Sequence, residues 1–169
     1  MKKLIYLLAI SAYIVMQSCG NKSENSADKA DSSTSAAHNM GKRIINPWTY
    51  QDDFGYVQAI EVKNPQGTLY CAGQAALDKD GKPSSADMRS QLAQSLENLE
   101  TVIAKSGYRC EDIVRLNIYT TSVPEIDSCF NLFTTWAKKN NVRQTSTLLE
   151  VKGLFIESLK VEIEATVVK

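Results

Sequence analysis

The chain has one histidine in 169 residues, His38, and that scarcity removes whole classes of chemistry. Serine–histidine and cysteine–histidine pairs and multi-histidine metal sites all need an imidazole that a second reactive group can meet. His38 stands alone in a polar stretch, where it is expected to be solvated. Neither G-x-x-x-x-G-K-[ST] nor G-x-G-x-x-G occurs, so no phosphate-cradling glycine loop is present. Net charge is lacking too: Lys plus Arg and Asp plus Glu number 19 each. Nucleic acid and anionic lipid select basic faces, so no nucleic-acid partner is expected. The four cysteines, Cys19, Cys71, Cys110 and Cys129, match no zinc or C-x-x-C spacing. No metal and no cofactor is expected.

A membrane-spanning run is also missing from the start of the chain. Leu4 to Met16 is an apolar run of 13 residues behind the basic pair Lys2-Lys3, whereas a helix crossing the bilayer needs about 20. Residues 1–18 therefore read as a signal peptide. The sequence V-M-Q-S-C resembles a bacterial lipobox, with Met16 at the usual leucine position. Cleavage before Cys19 would leave a lipidated cysteine that anchors the chain to a membrane of the bacterial cell envelope, on the periplasmic side or at the cell surface. The other reading of the same leader is ordinary cleavage and secretion. Removing residues 1–18 takes away Lys2 and Lys3 and leaves 17 basic against 19 acidic residues. Residues 19–42 are rich in Ser, Ala, Asn, Asp and Lys, with no aromatic and no apolar period, and read as a disordered tether.

The remaining 43–169 have the composition of one folded domain. Val57–Lys63 and Thr68–Gly73 are β-prone runs, and Asn64-Pro65-Gln66-Gly67 between them predicts a hairpin. Ser84 or Ser85 is expected to cap a helix carrying Met88, Leu92, Leu96, Leu99, Val102 and Ile103 at helical spacing, with Gly107 at its end. Ile113 to Tyr119 predicts a strand, and Pro124 opens a second helix with the stripe Ile126, Phe130, Phe133 and Trp136. Two alternating runs close the chain, Thr145–Val151 and Leu159–Val168, and are expected to pair antiparallel. The second puts Glu162 and Glu164 on one face and Val161, Ile163 and Ala165 on the other. The fold class predicted is α+β, a mixed sheet with two helices on one face. Its other face then needs a partner or a ligand.

The ending Val161-Glu162-Ile163-Glu164-Ala165 resembles the C-terminal signature of the YjgF/RidA family, whose pattern runs P-A-R-S-x-V-E-V and then E-I-E-A. Gly55-Tyr56-Val57-Gln58 is similar to the family's G-P-Y-x-Q without the proline, and Ala72-Gly73-Gln74 to its S-G-Q turn. The resemblance covers Gly55 to Val168. It implies a chorismate-mutase-like fold, assembled with itself as a homotrimeric barrel, with a small-molecule pocket at each subunit interface. It also implies hydrolysis of enamine and imine intermediates to 2-keto acids and ammonia. The ligand expected is imino, keto or amino acid-like.

Carried over residue by residue, the resemblance puts Glu162 at the water-activating position and Tyr56, Gly73, Phe130, Ser146 and Leu148 around the ligand. Phe130 falls where the deaminases have asparagine, with Asn131 one step around the helix. Ser146 falls where they grip the substrate carboxylate with arginine. A hydroxyl cannot replace that bidentate guanidinium, and Arg143, three residues earlier, is about 10 Å away on the opposite strand face. Deaminase activity is therefore expected to be weak or lost, the pocket binding a small metabolite, with an active deaminase as the alternative. Cys71 precedes the Ala-Gly-Gln turn and is either a pocket neighbour or a structural cysteine. Glu162 is either a ligand group or a strand carboxylate satisfied by backbone, by Lys160 or by a neighbouring arginine. A ribonuclease activity is attached to the family name, and the neutral charge and scarce histidine give it little support.

Overall fold

A computed structural model describes residues 40–169, so residues 1–18, read as a signal peptide, Cys19 and nearly all of the stretch read as a tether lie outside the described residues. The elements are β1 (Gly41–Ile45), β2 (Ala59–Lys63), β3 (Thr68–Ala75), α1 (Met88–Lys105), β4 (Ile113–Thr120), α2 (Val123–Lys139), β5 (Thr145–Glu150) and β6 (Val161–Val168). Short 3-10 turns occupy Tyr50–Phe54 and Cys110–Asp112. β1 begins within the last residues read as tether.

Four strands form the main sheet in the order β3-β6-β4-β5, and β1 and β2 pair separately. β6 is antiparallel to β3 and to β4, while β4 and β5 are parallel. α2 makes the crossover between the two parallel strands, as parallel neighbours require. The core lies between one sheet face and both helices. Leu92, Leu96, Leu99 and Ile103 of α1 and Ile126 and Phe133 of α2 pack with Ile113, Leu116 and Ile118 of β4 and Val161, Ile163 and Val167 of β6. This is the expected mixed sheet with two helices on one face.

Two pairings differ from expectation. β2 and β3 do not form a hairpin. β2 takes β1 as its antiparallel partner, from Ile45 opposite Ala59 to Gly41 opposite Lys63. Asn64 turns the chain at φ 51°, and the Gln66 and Gly67 amides donate to the Lys169 carbonyl at 2.6 and 2.8 Å, which starts β3 against the C-terminal strand. Nor do β5 and β6 pair: β4 lies between them. The amides of Val151 and Thr121 donate to the carbonyls of Thr120 and Lys160 respectively, so the connection 151–160 passes over the end of β4. That connection is packed rather than a tight turn, with Leu159 buried against Ala75 and Ala76, and Leu154 and Ile156 beside them.

The first helix also starts later than its serines suggest. Asp87 is the cap, accepting from the Ser90 amide, and the Ser84 hydroxyl instead accepts from Ala86. An ionised Asp at this position complements the helix dipole. The second helix begins as expected, with Ser122 accepting from the Glu125 amide and Pro124 in the first turn. Gly107 follows α1 at φ 75°, the left-handed conformation that closes a helix most readily with glycine.

Candidate functional site

A cavity of about 410 Å³ opens between α2 and β5. Helical spacing on α2 brings Val123, Ile126, Asp127, Phe130 and Phe133 to its wall, and strand alternation brings Ser146 and Leu148 of β5 beside Ile118 of β4. Phe54 and Tyr56 close it from the segment that joins β1 to β2. Gly55 stands between these aromatics at φ 70°, a conformation glycine adopts without strain. The segment is held against the start of β5 by two bonds: the Val57 amide donates to the Gln144 carbonyl at 2.8 Å, and Gln144 Nε2 donates to the Gly55 carbonyl at 3.1 Å. Tyr56, Phe130, Ser146 and Leu148 are thus brought together.

The wall is mostly apolar. Among the described residues that line it, Asp127 is the one charged side chain, and no lysine or arginine is present. Ser146 Oγ donates to the Leu116 carbonyl at 3.0 Å, which leaves its lone pairs for a ligand and spends its proton on the strand. Arg143 does not come round to replace the missing guanidinium. It lines a separate groove with Asp52, Asp53 and Lys138, which Tyr56 borders from its other side. Asn131 is turned toward Arg89, whose Nη1 lies 3.4 Å from its Oδ1.

Glu162, Gly73 and Cys71 lie elsewhere. In the β4–β6 ladder Glu162 stands opposite Tyr119 and Glu164 opposite Asn117, one residue out of phase with Ile118 in the cavity wall. A one-residue offset on a strand changes the sheet face. Glu162 therefore belongs to the face away from the helices, and the cavity to the helix side. Between Cys71 and Gln74 the β3–β6 register shifts by one residue, a bulge that contains Gly73. A Cβ on Gly73 would fall 2.8 Å from Glu162 Cγ and closer still to its carboxylate. Lys160, one expected partner of Glu162, bonds Glu125 at 2.8 Å instead, and the Glu162 carboxylate has no hydrogen bond or ion pair among the described residues. Glu164 is engaged by Asn117 Nδ2 at 2.7 Å and by the Tyr119 hydroxyl at 2.9 Å. That hydrogen bond raises the Tyr119 pKa above its ordinary value.

The cysteines are structural in their placement. Cys71 is buried in the main core, where desolvation raises its thiol pKa and lowers the thiolate fraction a nucleophile needs. Desolvation does the same to Cys129, and with the neighbouring Glu100 charge it pushes Cys110 to about 11. All three are free thiols.

Asp127, Phe54 and Val123 were not singled out from sequence. Val123 and Asp127 were within reach of a helical-wheel argument, since they lie seven and three residues before Phe130 on one helix face. Phe54 carried no comparable signal.

The family model described as endoribonuclease L-PSP matches residues 51–169. A RutC family protein of Aquifex aeolicus (strain VF5) is 26% identical over 114 residues, covering 68% of this chain and 88% of that one. The 2-iminobutanoate/2-iminopropanoate deaminase of Escherichia coli (strain K12) is 25% identical over 117 residues, covering 68% and 87%. Among solved structures, the conserved Rid-family protein YyfB of Yersinia pestis, of unknown function, aligns with a TM-score of 0.68 at 28% identity over 76% of this chain and 98% of that one.

Proposed function

The chain belongs to the endoribonuclease L-PSP family, the YjgF/RidA family of its resemblance, and from that premise we propose a small-metabolite-binding protein whose pockets are completed between the subunits of a homotrimer. Family-type imine deaminase activity is weak or lost in it. The observation that carries this reading is the cavity wall at Ser146, which has no cation to hold a substrate carboxylate. The composite pocket has its own support. Tyr56, Phe130, Ser146 and Leu148 lie on the helix side of the sheet and Gly73 with Glu162 on the other, so one protomer cannot place all of them on one ligand. A neighbouring copy presenting its open sheet face to the cavity can. On this reading residues 1–18 are removed and lipidated Cys19 holds the domain at the bacterial envelope. The open sheet face, which exposes Tyr70 and Leu149, is covered in the trimer.

An active deaminase is the second reading, favoured by the unpaired Glu162 carboxylate. Glu162 would take a proton from a water as its oxygen bonds to the imine carbon. That proton passes to the imine nitrogen, giving a carbinolamine; the carbinolamine's hydroxyl proton then reaches nitrogen by way of Glu162 as the C–N bond breaks and the C=O bond forms, so ammonia leaves and a keto acid remains. Ammonia and keto-acid release from freshly generated 2-imino acids separates the two readings, with Glu162→Gln and Ser146→Arg measured beside the unaltered protein. No release by the unaltered protein, with release appearing in Ser146→Arg, supports the binding role. Release that vanishes in Glu162→Gln establishes the enzyme.

A further inference from the structure

The charge at the cavity points to the class of its ligand. An apolar cavity selects charged ligands through the few charged groups at its edge, and here the one such side chain among the described lining residues is acidic. Asp127 lines the cavity and is exposed. The amino end of α2 is the other element beside it with electrostatic character. Helix amino termini attract anions, but this one is already occupied: the Val123 amide donates to Glu150 Oε2 at 2.8 Å, and Ser122 Oγ takes the Glu125 amide. The carboxylate of β5 thus fills the place where a ligand carboxylate could bind. Lys160, near the same helix end, is held by Glu125 at 2.8 Å. Phe54, Tyr56 and Phe130 present aromatic surface within the same wall, and aromatic faces attract cations.

We infer that the cavity takes an organic ammonium ion with an aromatic or bulky apolar body, its nitrogen at Asp127 and its body among Phe54, Phe130 and Leu148. A monocarboxylate of the same shape is excluded by the same groups. The inference rests on the reading of this cavity as a small-molecule site and names the class of molecule that site holds. It inverts the preference expected of a pocket with arginine at residue 146.

Three probes of nearly equal size and different charge test it by calorimetry on the purified protein at neutral pH: phenethylamine (cationic), 2-phenylethanol (neutral) and 3-phenylpropanoate (anionic). Affinity is expected to fall in that order. Asp127→Asn is expected to lower the ratio of amine to alcohol affinity about two- to fivefold, the range for an exposed charge pair. The alcohol reports in the same variant whether the cavity survives. Binding of 3-phenylpropanoate as tight as that of phenethylamine overturns the inference and leaves the pocket reading standing. An amine-to-alcohol ratio unchanged in Asp127→Asn overturns it as well. If none of the three probes binds, the pocket reading falls and the ligand class falls with it.

Discussion

Gly73 leaves open the space that the Glu162 side chain occupies: any side chain at residue 73 would meet the Glu162 Cγ within 2.8 Å and its carboxylate at still shorter range. The bulge in β3 and the carboxylate on β6 are therefore one unit, and they set the position of the only open-face glutamate that other described residues do not engage.

Gly73→Ala is accordingly expected to push Glu162 aside and to cost about 1–3 kcal/mol, as overpacking does. In a Glu162→Ala background the same substitution should cost little, giving a coupling of about 1–2 kcal/mol. Urea denaturation of the four proteins measures it. Additive effects would mean that the two residues do not share the space.

Gln91 has a comparable structural role on the other side of the sheet. It is fully buried, its Nε2 donates to the carbonyls of Ala86 and Ser158, and its Oε1 accepts from the Lys160 amide. Gln91→Leu keeps the volume and leaves three backbone groups without that partner. The expected loss is about 2–4 kcal/mol, read as a lower urea midpoint, with the connection 151–160 the first segment to lose hydrogen-exchange protection.

Alkaline pH should destabilise the domain through its thiols. Cys110 ionises near 11 when folded, against an ordinary value of 9.0, so the unfolded chain releases this proton first. The folded state then binds more protons than the unfolded one between about pH 9 and 11, and stability falls across that window. Below it the contribution is fully present. Melting temperature against pH should decline less steeply there in Cys110→Ala, and iodoacetamide should label Cys110 slowly at pH 8. A decline as steep in Cys110→Ala would assign the effect to other groups.

Much of the architecture was legible from local pattern. The alternation through Val161-Glu162-Ile163-Glu164-Ala165 places the valine, isoleucine and alanine in the core and the glutamates on the far face, because a period of two follows from strand geometry alone. The apolar spacing of α1 and α2 was equally direct. Partner choice was not. Thr145–Glu150 and Val161–Val168 are both good strands, and nothing within them says that β4 separates them; that follows from the crossover made by α2. The Asn64–Gly67 turn looks like a hairpin turn, but its amides answer to Lys169, a residue about 100 positions away. The cavity was half legible. Ser146, Leu148, Phe130 and Tyr56 came from a resemblance, Asp127 shares a helix face with Phe130 and was within reach of the same spacing, and Phe54 became visible only once the segment joining β1 to β2 lay across the cavity.

A site shared between chains brings residues of two protomers within cross-linking distance. A Leu148→Cys/Glu162→Cys protein carries one thiol at the cavity and one on the opposite face of the same sheet, so a short bismaleimide should join different chains. After treatment and denaturation covalent dimers and trimers are expected, absent from the unaltered protein and from each single variant. Monomer alone in the double variant, with both thiols shown to be reactive, would contradict a pocket completed by a neighbouring copy.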